Sequence, residues 1–424
     1  MPISLVSGPT LLFDTSSIGH GTRLDARLDW SDAGQAIATA LILSSVPDPE
    51  LGLVNQEKLL LVVADEAGGY ERELTLDDGG DEGGVLRGVS TRADGSFALA
   101  WLHFSQAAMD GAFALFDAEG LQVGEVLRPW PAGVNGFPAE PQVIALANGN
   151  TLLMRSVMRP DGDYYETTVH GQIYDAAGNP LGAQLDIASS DKILLAPAAT
   201  QLSNGNWALI VREQRTYYEG QHETISVQLL GPEGDLIGGP RPLVTLDSPD
   251  ATVQNDNYDV QVVPLATGGF AMIWEELDSF LVEETPGAVK ALLVSENGMP
   301  IGSPITVEAF GDKHQIIDIS LTELANGGFA VSVLHLGSGL GAPPVNVYAF
   351  DMHGASLGPG QDISTFFLGD QAWLTDLELS STGDVIALSA KPDGLTTMLL
   401  DFGIGNDVVG TSGNDRLYGK SRLD

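Results

Sequence analysis

Seven histidines, His20, His103, His170, His222, His314, His335 and His353, stand singly along 424 residues, and none falls into an HExxH, HxH or HxxxH spacing. A zinc ion held by paired histidines needs such spacing, so a zinc hydrolase is not signalled. A G-x-S-x-G elbow and a glycine-rich phosphate loop ahead of a helix are both missing. Paired carboxylates do occur, Asp161 with Asp163 and Glu275 with Glu276, and two carboxylates can divide acid and base work in glycoside cleavage. Such pairs are ordinary in a chain with 57 acidic and 19 basic residues. The main expectation is therefore a binding or adhesion module, and the alternative is a secreted polysaccharide hydrolase or lyase using loop carboxylates.

Aromatic and charged residues concentrate in three stretches, MRPDGDYYE (158–166), REQRTYYEGQHE (212–223) and WEELDSFLVEE (274–284), with WLHF at 101–104. Flat rings beside hydrogen-bonding charges suit a glycan or a protein surface. Tyr164, Tyr165, Arg212, Arg215, Tyr217, Tyr218 and His222 are the expected ligand contacts. Trp101, Trp207 and Trp274 sit instead within apolar runs and are expected to pack inside.

What must position these stretches is a repeat. A small or polar residue and a Gly precede an apolar run seven times, with the Gly at 34, 95, 149, 205, 268, 327 and 383, separated by 61, 54, 56, 63, 59 and 56 residues. A period of roughly 40 to 60 residues is that of propeller blades, longer than helical or leucine-rich repeats. Asn-Gly and Asp-Gly at these marks suit two-residue hairpin turns, because Asn, Asp and Gly tolerate positive φ.

A second mark follows in the middle repeats, as in Tyr174-Asp175-Ala176-Ala177-Gly178-Asn179-Pro180-Leu181-Gly182. One repeat then reads as four strands, PQVIALA, TLLMRSV, TTVHGQIYD and AQLDIA. The connections after the second and fourth strands leave one face, opposite the Gly turns. The last repeat stops at TTMLLDFG without a fourth strand, and GPTLLFDT near the start resembles one. The expected fold is an all-β, seven-bladed propeller of four-stranded antiparallel blades over residues 1–402, its N-terminal strand completing the last blade.

The net charge of −38 argues against nucleic acid or an anionic membrane as partner, since both need Lys and Arg. No apolar run approaches the ~18 residues of a membrane helix. Cys is absent, and the first 15 residues show neither the basic nor the apolar region of a cleaved signal peptide. The acidic loop Asp77-Asp78-Gly79-Gly80-Asp81-Glu82 lacks the alternate carboxylates and distal Glu of an EF-hand, and reads as solvated.

After Phe402 the texture changes to Gly403-Ile404-Gly405-Asn406-Asp407-Val408-Val409-Gly410-Thr411-Ser412-Gly413-Asn414-Asp415-Arg416-Leu417-Tyr418-Gly419. Two G-N-D phrases, each followed within two residues by an apolar one and then a Gly, resemble the RTX nonapeptide repeats of hemolysin-type calcium-binding proteins. The body, with its N-G-G-F-A and D-x-x-G-x-P phrases, looks like the propeller regions upstream of RTX blocks in large secreted bacterial proteins. The match spans 403–419, and Lys420-Ser421-Arg422-Leu423-Asp424 departs from it. The resemblance implies a short calcium-binding tail at 403–424 with Asp407 and Asp415 as ligands, and low occupancy by Ca2+ with so few repeats. It also implies an extracellular protein exported by type I secretion machinery without a cleaved signal, with a glycan or extracellular protein as partner.

Overall fold

The computed structural model describes residues 4–14, 23–30, 36–48, 52–64, 70–74, 84–92, 94–105, 108–130, 137–146, 148–161, 164–190, 193–214, 221–248, 260–277, 287–310, 316–324, 326–335, 344–363, 373–379, 385–391 and 394–401. Every regular element among them is a strand. None is a helix long and apolar enough to cross a membrane.

The strands assemble into seven four-stranded sheets. Sheet I holds β2–β5 (Arg23–Trp30, Ala36–Asp48, Gly52–Ala64, Tyr70–Leu74) and sheet II holds β6–β9 (Gly84–Thr91, Phe97–Ser105, Ala108–Phe116, Gln122–Trp130). Sheet III holds β10–β13 (Phe137–Ala145, Thr151–Asp161, Tyr164–Tyr174, Pro180–Ser190), and sheet IV holds β14–β17 (Ile193–Gln201, Trp207–Gln214, Gln221–Leu230, Leu236–Ser248). Sheet V holds β18–β21 (Gln261–Pro264, Phe270–Leu277, Gly287–Val294, Pro300–Phe310), and sheet VI holds β22–β25 (Ile316–Glu323, Phe329–His335, Val345–Phe350, Gln361–Asp362). Sheet VII joins β26–β28 (Trp373–Leu379, Val385–Lys391, Gly394–Asp401) to β1 (Ser4–Asp14) in the order β1-β28-β27-β26, so the N-terminal strand is the outer strand expected from the sequence. In sheets I to VI neighbouring strands follow chain order, with antiparallel pairing from β2 to β5, β6 to β9, β10 to β12, β14 to β17, β18 to β21 and β22 to β25.

Contacts divide the chain into two compact units, residues 1–9, 190–387 and 398–424 in one, and 10–189 and 388–397 in the other. The expected tail at 403–424 lies outside the described residues.

In both units, second and third strands are apolar at successive positions because both faces are covered. In the unit holding sheet II, Ala98, Ala100, Phe113 and Leu115 pack on Val143, Leu153 and Tyr174 of sheet III. The alternate residues Phe97, Leu99 and Trp101 join Ala112, Ala114 and Phe116 on the other face. In the other unit, Ala208, Ile210, Ile225 and Val227 of sheet IV meet Phe270, Met272, Trp274 and Leu292 of sheet V. The opposite face of sheet V, Ala271, Ile273, Val289 and Leu293, meets Phe329, Val331, Val333 and Phe350 of sheet VI. Burial of this kind contributes roughly 25 cal/mol per Å² of apolar surface, the main favourable term in folding.

First strands neighbour first strands: β2 lies by β6 and β6 by β10 in one unit, and β14, β18, β22 and β26 follow in the other. Gln261 of β18 fastens one such pair, donating Nε2 to Ile319 O at 2.7 Å and accepting from Leu321 N–H at 2.8 Å. Fourth strands lie outermost, β13 and β21 being exposed over their first five residues.

The glycine marks among the described residues, Gly95, Gly149, Gly205, Gly268 and Gly327, are turns, though one residue longer than the two-residue loops expected. Arg92 N–H donates to Ser96 O at 2.8 Å while Gly95 N–H donates to Arg92 O at 2.9 Å, and four later sheets repeat this pattern at Leu146, Leu202, Leu265 and Leu324. A type I turn followed by one left-handed residue makes these bonds, so only the Gly must take positive φ, +84° at Gly95 and +82° at Gly149. The residue before it contributes a side chain instead: Asn148 Oδ1 accepts from Asn150 N–H at 3.0 Å and Asn204 Oδ1 from Asn206 N–H at 2.9 Å.

Turns between third and fourth strands have the same backbone pattern with the acceptor moved to the first residue. Asp175 Oδ1 accepts from Ala177 and Asn179 N–H, and Asp351 Oδ1 from His353 and Ala355 N–H, all at 2.8–2.9 Å. The Asn179 side-chain amide, which also donates to this carboxyl and contributes most, acts with these bonds to hold the Asp175 carboxyl below its ordinary pKa. That is the physical content of the D-x-x-G phrase.

Candidate functional site at the loop end

Alternating strand direction gives each sheet two ends. Glycine turns occupy one, with near-identical backbone bonding from sheet II to sheet VI. At the other, sequence and length vary: residues 162–163, 215–220, 278–286 and 336–343 link second to third strands, and 131–136, 191–192, 249–260 and 311–315 link one sheet to the next.

The expected contacts among the described residues, Tyr164, Tyr165, Arg212 and His222, lie within strands toward this end. Tyr164 and Tyr165 open β12, in register with Asp161 and Pro160 of β11. His222 lies near the start of β16, opposite Asp247. Arg212 lies in β15, opposite Leu195 and Ile225, and is only 3% exposed, so its guanidinium is enclosed and not presented on a loop. By the two-residue period of a strand it shares the face of Ala208 and Ile210. Arg215, Tyr217, Tyr218, Asp407 and Asp415 lie outside the described residues, as does Asp163. Trp101, Trp207 and Trp274 are buried, as their strand positions predicted.

Sequence reasoning missed a polar layer between sheets V and VI. The apolar seam of Ile273, Val289 and Val333 ends, toward the loop end, in Glu275, Glu308, His335 and Asn346. Glu275, Val289 and Glu308 pair across three strands, so both carboxylates share one row and one face of sheet V. Glu275 is 9% exposed, and His335, the last residue of β23, is 5% exposed. His335 Nε2 lies 3.2 Å from Glu308 Oε1, and Asn346 Nδ2 donates to the same oxygen at 3.2 Å.

Burial works to raise the Glu308 pKa. Hydrogen bonds from His335 and Tyr348, the His335 charge, and Asn346 outweigh burial and hold the carboxyl below the usual glutamate range. Tyr348 is pushed up strongly, by burial first and then by Glu308 beside it. The two partners of the Glu308–Asn346 bond are 38 residues apart in sequence. Only a lone His closing the apolar run FAVSVLH hinted at the layer.

A second polar tie joins third to fourth strands. His170 Nδ1 lies 2.8 Å from Asp186 Oδ1 and 2.9 Å from Gln184 Nε2. The corresponding positions hold Lys290 donating to Thr306 Oγ1 at 3.0 Å, and Asn346 in register with Asp362. Ala112 and Ser226 hold the same position in sheets II and IV, so the tie is not common to every sheet. Among the described residues no group of three or more His, Asp or Glu could hold a metal ion.

The chain matches no family model and no curated protein. Solved structures similar to it include a Penicillium chrysogenum α-L-arabinanase complexed with arabinobiose, 18% identical with TM-score 0.48, the match covering 82% of this chain and 98% of that one. Another is a protein of unknown function from Dyadobacter fermentans, 8% identical with TM-score 0.49, covering 94% and 99%. The GH93 α-L-arabinofuranosidase of Fusarium graminearum is 11% identical with TM-score 0.46, covering 93% and 97%. At such identities these likenesses carry no inference about activity.

Proposed function

We propose that this chain is a seven-bladed β-propeller, one blade per sheet with β1 completing the seventh, which binds an extracellular glycan or protein through its loop end. The carrying observation is the asymmetry of the sheets. One end is a set of near-identical turns, while the other varies in length and gathers tyrosines, Arg212, Glu275 and His335 at or near strand ends. Buried charge is unfavourable unless paired, and such groups concentrate where a fold does chemistry or recognition. The adjacency of first strands from sheet to sheet supports the ring. The two G-N-D phrases support export by a type I route and calcium ligation by Asp407 and Asp415.

A glycan panel including arabinobiose, titrated against the whole chain, tests this reading. Saturable binding lost on Tyr164→Ala/Tyr165→Ala or Tyr217→Ala/Tyr218→Ala, and kept on the turn-end changes Glu119→Ala and Glu233→Ala, is the expected result. Binding that survives both tyrosine pairs, or that depends on the turn-end acids, overturns it.

The alternative, polysaccharide cleavage, is favoured by one observation: sheet V puts Glu275 and Glu308 in a single row at the loop end. Release of reducing ends from the same panel, reduced ~10²-fold or more by Glu275→Gln with binding intact, would establish it.

A further inference from the structure

We propose that Glu308 is a positioning residue: its carboxylate reaches from sheet V to clasp His335 and Asn346, the two strand ends of sheet VI that bracket residues 336–343, and so fixes how those two strand ends stand against sheet V. The inference rests on the reading that the loop end receives the ligand, but the clasp has its own readout. His335 ends β23 and its N–H donates to Pro344 O at 3.0 Å, the backbone bond that closes this bracket. Asn346 is the second residue of β24. Glu308 lies two residues before the end of β21, ahead of the connection 311–315. One oxygen therefore ties the ends of two segments belonging to the variable face, at 3.2 Å to each partner.

The site is built for that task. The Glu308 side chain is 15% exposed and the His335 side chain 6% exposed, so water competes weakly for the pair. Tyr348, two residues along β24, faces the same carboxylate, and its ring lies so close to Gly360 that a Cβ there would come within 2.2 Å of Cε1. The carboxylate is thus enclosed by groups from β23 and β24. Of the other charged residues nearby in the sheets, Glu275 of β19 stands in the same row, Lys290 of β20 belongs by alternation to the opposite face and is held by Thr306, and Asp362 of β25 is opposite Asn346. A carboxylate bound to a cationic or neutral donor loses much of that bond when protonated.

Amide hydrogen exchange on the whole chain tests the clasp, comparing the wild type with Glu308→Gln and Glu308→Asp and correcting for the intrinsic pH dependence of exchange. In Glu308→Gln at pH 7 the amides of His335 and Val345–Phe350 should exchange about tenfold faster or more, with β14–β17 unchanged. Lowering the pH through the carboxyl's titration should loosen the same amides in the wild type but not in Glu308→Gln, and Glu308→Asp should recover part of the protection. Unchanged exchange in Glu308→Gln, equal loosening of β14–β17, or identical pH profiles for the two proteins would overturn the proposal. A failure to find any bound glycan would sink the binding reading alone and leave this measurement intact.

Discussion

Gly354 turns its absent side chain toward Ile305: a Cβ built at position 354 would lie 2.5 Å from Ile305 Cδ1 and 3.2 Å from Leu293 Cδ1. Its φ of +80° adds a conformational demand of its own. The third-to-fourth turn of sheet VI is thereby pressed onto sheet V, and in the other unit Gly178 sits on Leu127 in the same manner, at 2.9 Å. Gly302 offers the control, since its φ is +77° but a Cβ there meets nothing within 4 Å. Gly302→Ala should destabilise by about 1 kcal/mol through backbone strain alone. Gly354→Ala adds overpacking and should reach about 2–4 kcal/mol. Urea unfolding of the two variants separates the terms, and equal losses would show that the contact is relieved at no expense.

Phe97 and Phe116 stack across β7 and β8 with ring centroids 4.9 Å apart and planes 7° apart, and Phe329 and Phe350 do the same in sheet VI at 4.9 Å and 13°. Each pair stands in register directly behind the glycine turns, at the first residue of the second strand and the last of the third. Phe97→Ala and Phe329→Ala should each lower stability by about 3–5 kcal/mol, as cavity-forming changes do. Thermal unfolding would show this as a fall in Tm, and a loss under about 1 kcal/mol would mean that the neighbouring sheet collapses into the space.

Gln261 presents a different test, because what it satisfies is backbone. Its side-chain amide answers both the Ile319 carbonyl and the Leu321 N–H across the seam between β18 and β22. Gln261→Leu keeps the bulk and orphans both groups, which should lower stability by about 1–3 kcal/mol per group left without water. Exchange at the Leu321 amide should rise most, and a uniform rise over β22 would point to loosening of the whole seam instead.

The parts of this fold legible in the sequence were those written in local chemistry. Gly95, Gly149 and Gly205 announced hairpins because Gly takes their positive φ at the least cost, and Asp175 and Asp351 announced turns because a short carboxylate reaches its own backbone. The apolar run FAMIW announced a strand covered on both faces. Turn length escaped, since a type I turn with a following Gly and a two-residue loop share the Asn-Gly spelling. Arg212 was misplaced for a related reason: the strand WALIV continues through it, and a charge following an apolar run looks like a strand end. The Glu308–His335–Asn346 layer was illegible because its members come from different strands, and strand pairing across sheets leaves no trace in spacing.

Acid should expose the Glu308 clasp thermodynamically. Its folded pKa lies below the ordinary glutamate value of 4.5, so the ionised form is favoured in the fold. A depressed carboxyl contributes stability that is present above the unfolded pKa and lost as pH falls through the folded one. Unfolding free energy should therefore drop from pH 4.5 downward more steeply in the wild type than in Glu308→Gln, with the two curves converging in strong acid. Parallel curves across that range would show that Glu308 titrates alike in folded and unfolded chains.

Calcium is the remaining variable, and the net charge of −38 makes its reading double-edged. Any divalent cation relieves self-repulsion among so many carboxylates, so a rise in Tm with calcium does not by itself indicate ligation. Site binding differs in its selectivity and in its residues. If the G-N-D tail ligates calcium as proposed, its hard oxygen ligands should favour calcium over the smaller, more rigidly hydrated magnesium. Micromolar to millimolar calcium should raise the Tm more than magnesium at equal ionic strength, and Asp407→Asn/Asp415→Asn should abolish the difference while leaving the shared screening effect. If the calcium-specific increment survives the double substitution, the ions lie elsewhere on the chain, and the resemblance of residues 403–419 to calcium-binding repeats is one of sequence alone.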